Sequence, residues 1–235
     1  MISRSRPLLL GSASPRRSAL IASLGLPFTV LPADIVEDEE PGERPRDYLE
    51  RIASAKLAAV QARLEREGMP ASAPQGIAAI VVADTTVVID DTIVGKPADV
   101  QEAIATLTRL VGRTHTVLTR YVIAAGFDPG HAPPSPAAPS RAALLARTVQ
   151  TEVKLRAATQ HEVHGYAQTG EGLDKAGAYA AQGLGAFLVE GVTGSYTNVV
   201  GLPVCELVSD LQVLGLLRGF PFDLRAFDST RSTGG

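Results

Sequence analysis

IAAIVVAD, residues 77–84, sets the architecture of the chain. Seven apolar residues run without alternation into one aspartate. That is the pattern of a strand covered on both faces. Such a strand needs helices on either side, and the flanking sequence supplies them. Upstream, residues 7–12 read as a strand and residues 15–24 as a helix, with Ser14 as N-cap, Pro15 in the first turn and Gly25 just past the end. Residues 28–33 read as a second strand and residues 47–66 as a long helix. Downstream, residues 86–95 read as a hairpin arm and its return, with a turn at Asp90-Asp91. Residues 99–110 form a helix whose Asp99 and Glu102 have capping-box spacing. Residues 114–125 and 143–156 are strands, 159–168 a helix capped by Thr159 and Glu162, 186–190 a strand, and 203–214 the last helix. Alternating strands and helices give an α/β fold with a mixed sheet flanked by helices.

Of 235 residues, 45% are hydrophobic and 20% charged, the balance of a globular chain rather than a disordered one. The length suits one large domain or two small ones. We expect a single domain over residues 1–217 and a flexible tail over 218–235. A Pro-rich insertion, GFDPGHAPPSPAAPS, occupies residues 126–140. Twenty-two basic against 25 acidic residues leave a net charge of −3, and aromatics are only 5%. A dedicated nucleic-acid binder is disfavoured on both counts. No apolar run reaches the ~20 residues of a membrane span, and the short Leu8–Leu10 run is no signal core. The single cysteine, Cys205, forms no intrachain disulfide. It points to a reducing, cytoplasmic setting and is expected on an apolar helix face.

Several residues sit oddly for a bland protein. In SASPRR, residues 12–17, Arg16 and Arg17 fall in the first turn of a helix, where a cation opposes the dipole by roughly 0.3–1 kcal/mol. The free N–H groups of such a turn favour anions. Ser12, Ser14 and two guanidinium groups beside them would suit a polyphosphate; the alternative is two arginines facing solvent or acidic partners. Lys56 interrupts the apolar stripe Leu49, Ile52, Ala53, Val60, Leu64. It must snorkel, find a buried partner or face a charged ligand. Asp84 closes the buried strand, where α/β folds place ligands; a turn aspartate is the plainer reading. Gly95-Lys96-Pro97 brings an extended lysine next to a permissive glycine. Of the acidic run Glu37–Glu40, Glu37 lies nearest the preceding strand and is the candidate metal ligand. DKAGAYAAQG (174–183) and GVTGSYTNVVGLP (191–203) read as tightly turned loops near a site. Gln182 offers both a donor and an acceptor to a base edge. The four histidines have no usual zinc spacing.

In this order, SASPRR, the acidic run, Lys56, ADT (83–85), GKP, GRTH (112–115), DKAGAYAAQG and GSYTNVVGLP resemble the Maf family. These are septum-formation-inhibitor-like nucleoside triphosphate pyrophosphatases. The resemblance spans about residues 8–214. It implies an elongated mixed sheet with two lobes around a cleft, like that of inosine-triphosphate pyrophosphatases, and commonly a homodimer. It implies hydrolysis between the α and β phosphates with Mg²⁺ or Mn²⁺. The family's catalytic aspartate falls on Asp84, its acidic metal residue on Glu37, its lysines on Lys56 and Lys96, and its serine and arginines on Ser12, Arg16 and Arg17. The metal would lie on Glu37 and Asp84. Specificity positions fall on Arg16, Thr85 and Gln182. SPRR, ADT and DKAGAYxxQG resemble the branch preferring dTTP and UTP, not the branch acting on 7-methyl-GTP. The family's Glu-Pro is Glu171-Gly172 here, which should loosen that turn, and the Pro-rich loop is long. The rivals are a non-catalytic nucleotide-binding regulator of division and a house-cleaning enzyme for another base.

Overall fold

The computed structural model describes residues 1–127 and 144–221. The Pro-rich stretch expected at 126–140 therefore lies largely outside the described residues, as does the expected tail from residue 222. Among the described residues seven strands, β1 (Leu8–Leu10), β2 (Phe28–Val30), β3 (Ile77–Ile89), β4 (Thr92–Val94), β5 (Thr114–Phe127), β6 (Leu144–Leu155) and β7 (Val189–Thr193), form one mixed sheet. Its order is β2-β1-β3-β5-β6-β7, with β4 on β3. β1 is parallel to β2 and β3, and the remaining pairs are antiparallel. The helices are α1 (Pro15–Ser23), α2 (Pro45–Glu67), α3 (Val100–Leu110), α4 (Gln160–Gln168), α5 (Tyr196–Val200) and α6 (Val204–Val213). No helix among the described residues is long and apolar enough to cross a membrane.

β3 is covered on both faces, as its apolar run requires. Alternate residues point to opposite faces of a strand. Ile80 and Val82 pack on Ala53, Leu57, Val60 and Leu64 of α2. Ala79, Val81 and Ala83 pack on Ile21 of α1 and Leu207 and Leu211 of α6. Further along, Val87 and Ile89 meet Ala103, Leu107 and Leu110 of α3. The apolar clusters thus gather at two ends of the long strands. Leu49, Ile52 and Val60 of α2 are completely buried, at roughly 1.5–3 kcal/mol each.

Several expected boundaries move. β3 does not stop at Asp84 but runs on to Ile89, because β5 pairs with it without a break from Ala79↔Ala125 to Val88↔Thr116. The β-branched Thr85 and Thr86 suit the strand. The turn at Asp90-Asp91 is where it was expected, with φ of 51° and 57° at its two residues, the signature of a tight I′ hairpin. The strand expected at 186–190 begins only at Val189, since Gly183–Leu188 is a 3-10 turn. α5 lies in a glycine-rich stretch that reads as loop. Cys205 is exposed, not packed in the core. Of the expected tail, Phe220 packs against the core.

The caps of α4 form as the sequence indicates. Thr159 accepts from the Glu162 N–H while Glu162 accepts from the Thr159 N–H. The Arg156 bond first, then the Thr159 amide and hydroxyl, bring the Glu162 carboxyl down to about 2. A lowered carboxyl stabilises the fold above its unfolded value near 4.5, and this is lost as pH falls through about 2. Glu162→Gln should therefore remove an acid-dependent loss of amide-exchange protection in α4 between those limits. An unchanged profile would contradict the cap.

Candidate active site

One edge of β3 pairs with β5 from Ala79 to Val88. Along the other edge, β1 reaches Val81 and β4 begins at Val87. Among the described residues no strand lies beside residues 82–86 on that edge. Into this gap open the turn leaving β1, which carries Ser12 to Arg17, and the turn leaving β4, which carries Gly95-Lys96. A cleft of about 900 Å³ sits over the gap, within the range of ligand sites. All ten residues nominated from the sequence line it, namely Ser12, Ser14, Arg16, Arg17, Glu37, Lys56, Asp84, Thr85, Lys96 and Gln182. The gap also lets neighbours on opposite faces of one strand border the same cleft. Asp84 points to the α2 side and Thr85 to the α1 side.

Asp84 and Lys56 are each only 5% exposed. Lys56 Nζ lies 2.6 Å from Asp84 Oδ1 and 2.7 Å from Glu37 Oε1. Of its three possible settings, the lysine has taken the buried partner, and it has two. Lys96 Nζ, largely exposed, is 3.6 Å from Glu37 Oε2. Burial alone would raise the Glu37 carboxyl. The Lys56 charge and hydrogen bond, then Lys96 and Arg17, bring it below its ordinary value. The loop carrying Glu37 is anchored behind the cleft. The Tyr48 hydroxyl donates to the Glu37 carbonyl at 3.1 Å, and Arg51 holds the Asp38 carbonyl and the Glu43 carboxylate.

Ser14 caps α1 through the Arg17 N–H. The first-turn arginines divide. Arg17 turns inward: its Nε donates to the Gly201 carbonyl at 2.8 Å, and its terminal nitrogens donate to Ser12 Oγ at 3.1 Å and Thr85 Oγ1 at 3.0 Å. Burial lowers its pKa, partly offset by Asp84 and Glu37. Three of roughly five guanidinium N–H groups are thus engaged among the described residues, leaving two for a ligand. Thr85 Oγ1 also meets Thr119 Oγ1 at 2.9 Å, so it braces Arg17 and the sheet. Arg16 turns to the cleft mouth and pairs with Asp174 at 3.1 Å.

The far wall is the segment from Glu171 to Gly183. Tyr179 lines the cleft and its hydroxyl meets buried His115 Nε2 at 2.8 Å. Burial pushes the His115 pKa down to about 4, so the ring is neutral. The Gly172 turn is tight rather than loosened, since a Cβ there would lie 2.0 Å from the Ala178 carbonyl oxygen. Sequence reasoning gave no role to Glu171 of this wall or to Tyr166 behind it. Glu171 accepts from the Leu184 and Gly185 amides, and Tyr166 bonds both Glu171 and the Ala180 amide. The one available signal was the position of Glu171 three residues before the start of the DKAGAY run.

Among the described residues no group of three or more His, Cys, Asp or Glu side chains could hold a metal ion. Glu37 and Asp84 alone converge, on Lys56. Two carboxylates, open to the cleft and completed by phosphate oxygens and water, are a donor set that fits Mg²⁺ or Mn²⁺.

A family profile described as Maf-like protein matches residues 7–214. Three proteins each described as a dTTP/UTP pyrophosphatase are similar over nearly the whole chain. The relative from Geobacter metallireducens is 42% identical over 210 residues, covering 89% of this chain and 97% of its own. That from Myxococcus xanthus is 44% identical over 209 residues, covering 89% and 93%. That from Syntrophotalea carbinolica is 39% identical over 216 residues, covering 92% and 88%.

Proposed function

The chain belongs to the Maf-like family, and on that premise we propose that it hydrolyses dTTP and UTP to the monophosphate and pyrophosphate. What supports the reading is one arrangement. A buried carboxylate, Asp84, lies at an open sheet edge between the arginines leaving β1 and the lysine leaving β4, with Lys56 against it.

Hydrolysis of a phosphoanhydride is held back by charge, so positioned cations carry most of the catalysis. Arg16, Arg17 and Lys96 with the amides at the start of α1 would take the triphosphate oxygens. Arg16 would exchange Asp174 for a phosphate. Water adds to the α phosphorus, the bond from that phosphorus to the bridging oxygen breaks, and pyrophosphate leaves with that oxygen. Asp84 accepts the proton of the attacking water. Lys56, bonded to Asp84 Oδ1, holds the carboxylate in place. Glu37 and Asp84 would hold a divalent ion, which supplies neutralisation of phosphate charge when bound. Gln182, whose amide has no hydrogen-bond partner among the described residues, would meet the pyrimidine edge. Thr85, its hydroxyl taken up by Arg17 and Thr119, would act on the base side only through them.

The test is turnover of dTTP, UTP, CTP, 7-methyl-GTP and ITP by the purified protein, with and without Mg²⁺ or Mn²⁺, scoring pyrophosphate against orthophosphate. Metal-dependent pyrophosphate release from dTTP and UTP is expected. Release only from another base would overturn the role of Gln182. Binding without turnover of any nucleotide would replace the enzyme by a nucleotide-binding regulator.

A further inference from the structure

We propose that Glu171 and Tyr166 form a clamp that sets base preference, acting through the strip that carries Gln182. The proposal rests on the assignment of Gln182 to the base. Gln182 is exposed and extended, at φ −120° and ψ 165°. The backbone on both sides of it is held. On one side the Ala180 amide donates to the Tyr166 hydroxyl at 3.0 Å. On the other, the Leu184 amide donates to Glu171 Oε1 at 2.9 Å and the Gly185 amide to Oε2 at 2.7 Å. The Tyr166 hydroxyl donates to Glu171 Oε2 at 2.9 Å and closes the circuit. Three backbone donors within six residues therefore end on two side chains.

The clamp leaves room for nothing else. Gly183 has φ +70°, and a Cβ there would lie 2.4 Å from Glu171 Oε1. At Gly185 a Cβ would lie 2.5 Å from both the Ala180 carbonyl oxygen and the Tyr166 hydroxyl. The Tyr166 ring is buried and meets Phe187 edge-on at 5.9 Å. Burial alone would raise the Glu171 carboxyl. The Gly185 and Leu184 amides, the Tyr166 hydroxyl and the Lys175 charge bring it below its ordinary value, so it stays an acceptor at neutral pH.

A clamp matters here because a glutamine alone reads poorly. Uracil and thymine offer a ring N–H beside a carbonyl acceptor, whereas cytosine offers a ring acceptor beside an amino donor. A terminal amide satisfies either pattern by turning over. Discrimination needs fixed groups, and the backbone of residues 180–185 supplies them only while it is held in place. A site with fixed polar groups rejects the mismatched partner because its own groups are left unpaired.

The experiment compares kcat and KM for UTP, dTTP and CTP in the wild type, Tyr166→Phe and Glu171→Gln. Tyr166→Phe keeps the ring and removes the hydroxyl. Glu171→Gln keeps the size and sets an amide donor against a backbone N–H. We expect the kcat/KM preference for UTP over CTP to fall about tenfold in Glu171→Gln and about threefold in Tyr166→Phe. The loss should lie mainly in KM. A purely structural clamp would lower all three substrates together and keep the ratio. That result, or a wild type without preference between UTP and CTP, overturns the proposal. If Glu171→Gln does not fold, Tyr166→Phe carries the test alone. A wild type that hydrolyses none of the three fails the pyrophosphatase reading instead, and that is read before either variant is made.

Discussion

Asp84→Asn should give a folded protein whose kcat is lower by about 10²–10⁴-fold, the usual share of a positioned general base. The geometry makes the substitution a clean one. Asp84 is buried, and Lys56 lies against its Oδ1. The asparagine carbonyl can still accept that bond, and Glu37 still balances the lysine. Fold and lysine position are therefore retained while the proton acceptor is lost. The check is single-turnover hydrolysis of UTP beside a thermal melt. Near-normal turnover in a normally melting variant would remove Asp84 from the chemistry.

Arg17→Lys should be costly in another way. A planar fork serves the Gly201 carbonyl, Ser12 and Thr85 at once, and a single ammonium cannot reproduce three such directions. At ~1–1.5 kcal/mol for each lost bond, the loss is about 2–4 kcal/mol. For a chain of this size that lowers the melting temperature by roughly 5–15 °C. KM for nucleotide should rise as well, since the two remaining N–H groups go with the fork. A variant that melts like the wild type would show that Arg17 is not the tie between the β1 turn and Gly201. By contrast, the exposed Arg16–Asp174 pair contributes about 1 kcal/mol or less to stability. Its weakness suits a partner that must be exchanged for phosphate.

Much of this was legible along the chain because it rests on local contrast. Lys56 stands out as one charge in an apolar stripe, and Asp84 as one charge at the end of an apolar run. Yet Asp84 was flagged for a reason the structure revises. The strand does not end there; its neighbour does, and a missing neighbour leaves no mark in the strand's own residues. SASPRR was legible because two cations oppose a helix dipole, but nothing local says which one turns inward. That is decided by Gly201, 184 residues away in sequence. The Tyr166 and Glu171 clamp was hidden for the same reason, since its donors are ordinary amides of a glycine-rich loop. Cys205 was misjudged because α6 covers the core with Leu207 and Leu211, leaving the cysteine on the outer side.

The unpaired stretch of β3 has a mechanical consequence. Three strands, β3, β5 and β6, run unbroken beneath the cleft and connect its two ends. They act as a leaf spring rather than a hinge, because bending them strains a continuous ladder of backbone bonds. Large swings of one end against the other are therefore resisted. Admission of a nucleotide falls to the rim, where the Arg16–Asp174 ion pair lies at the opening and water already competes for both partners.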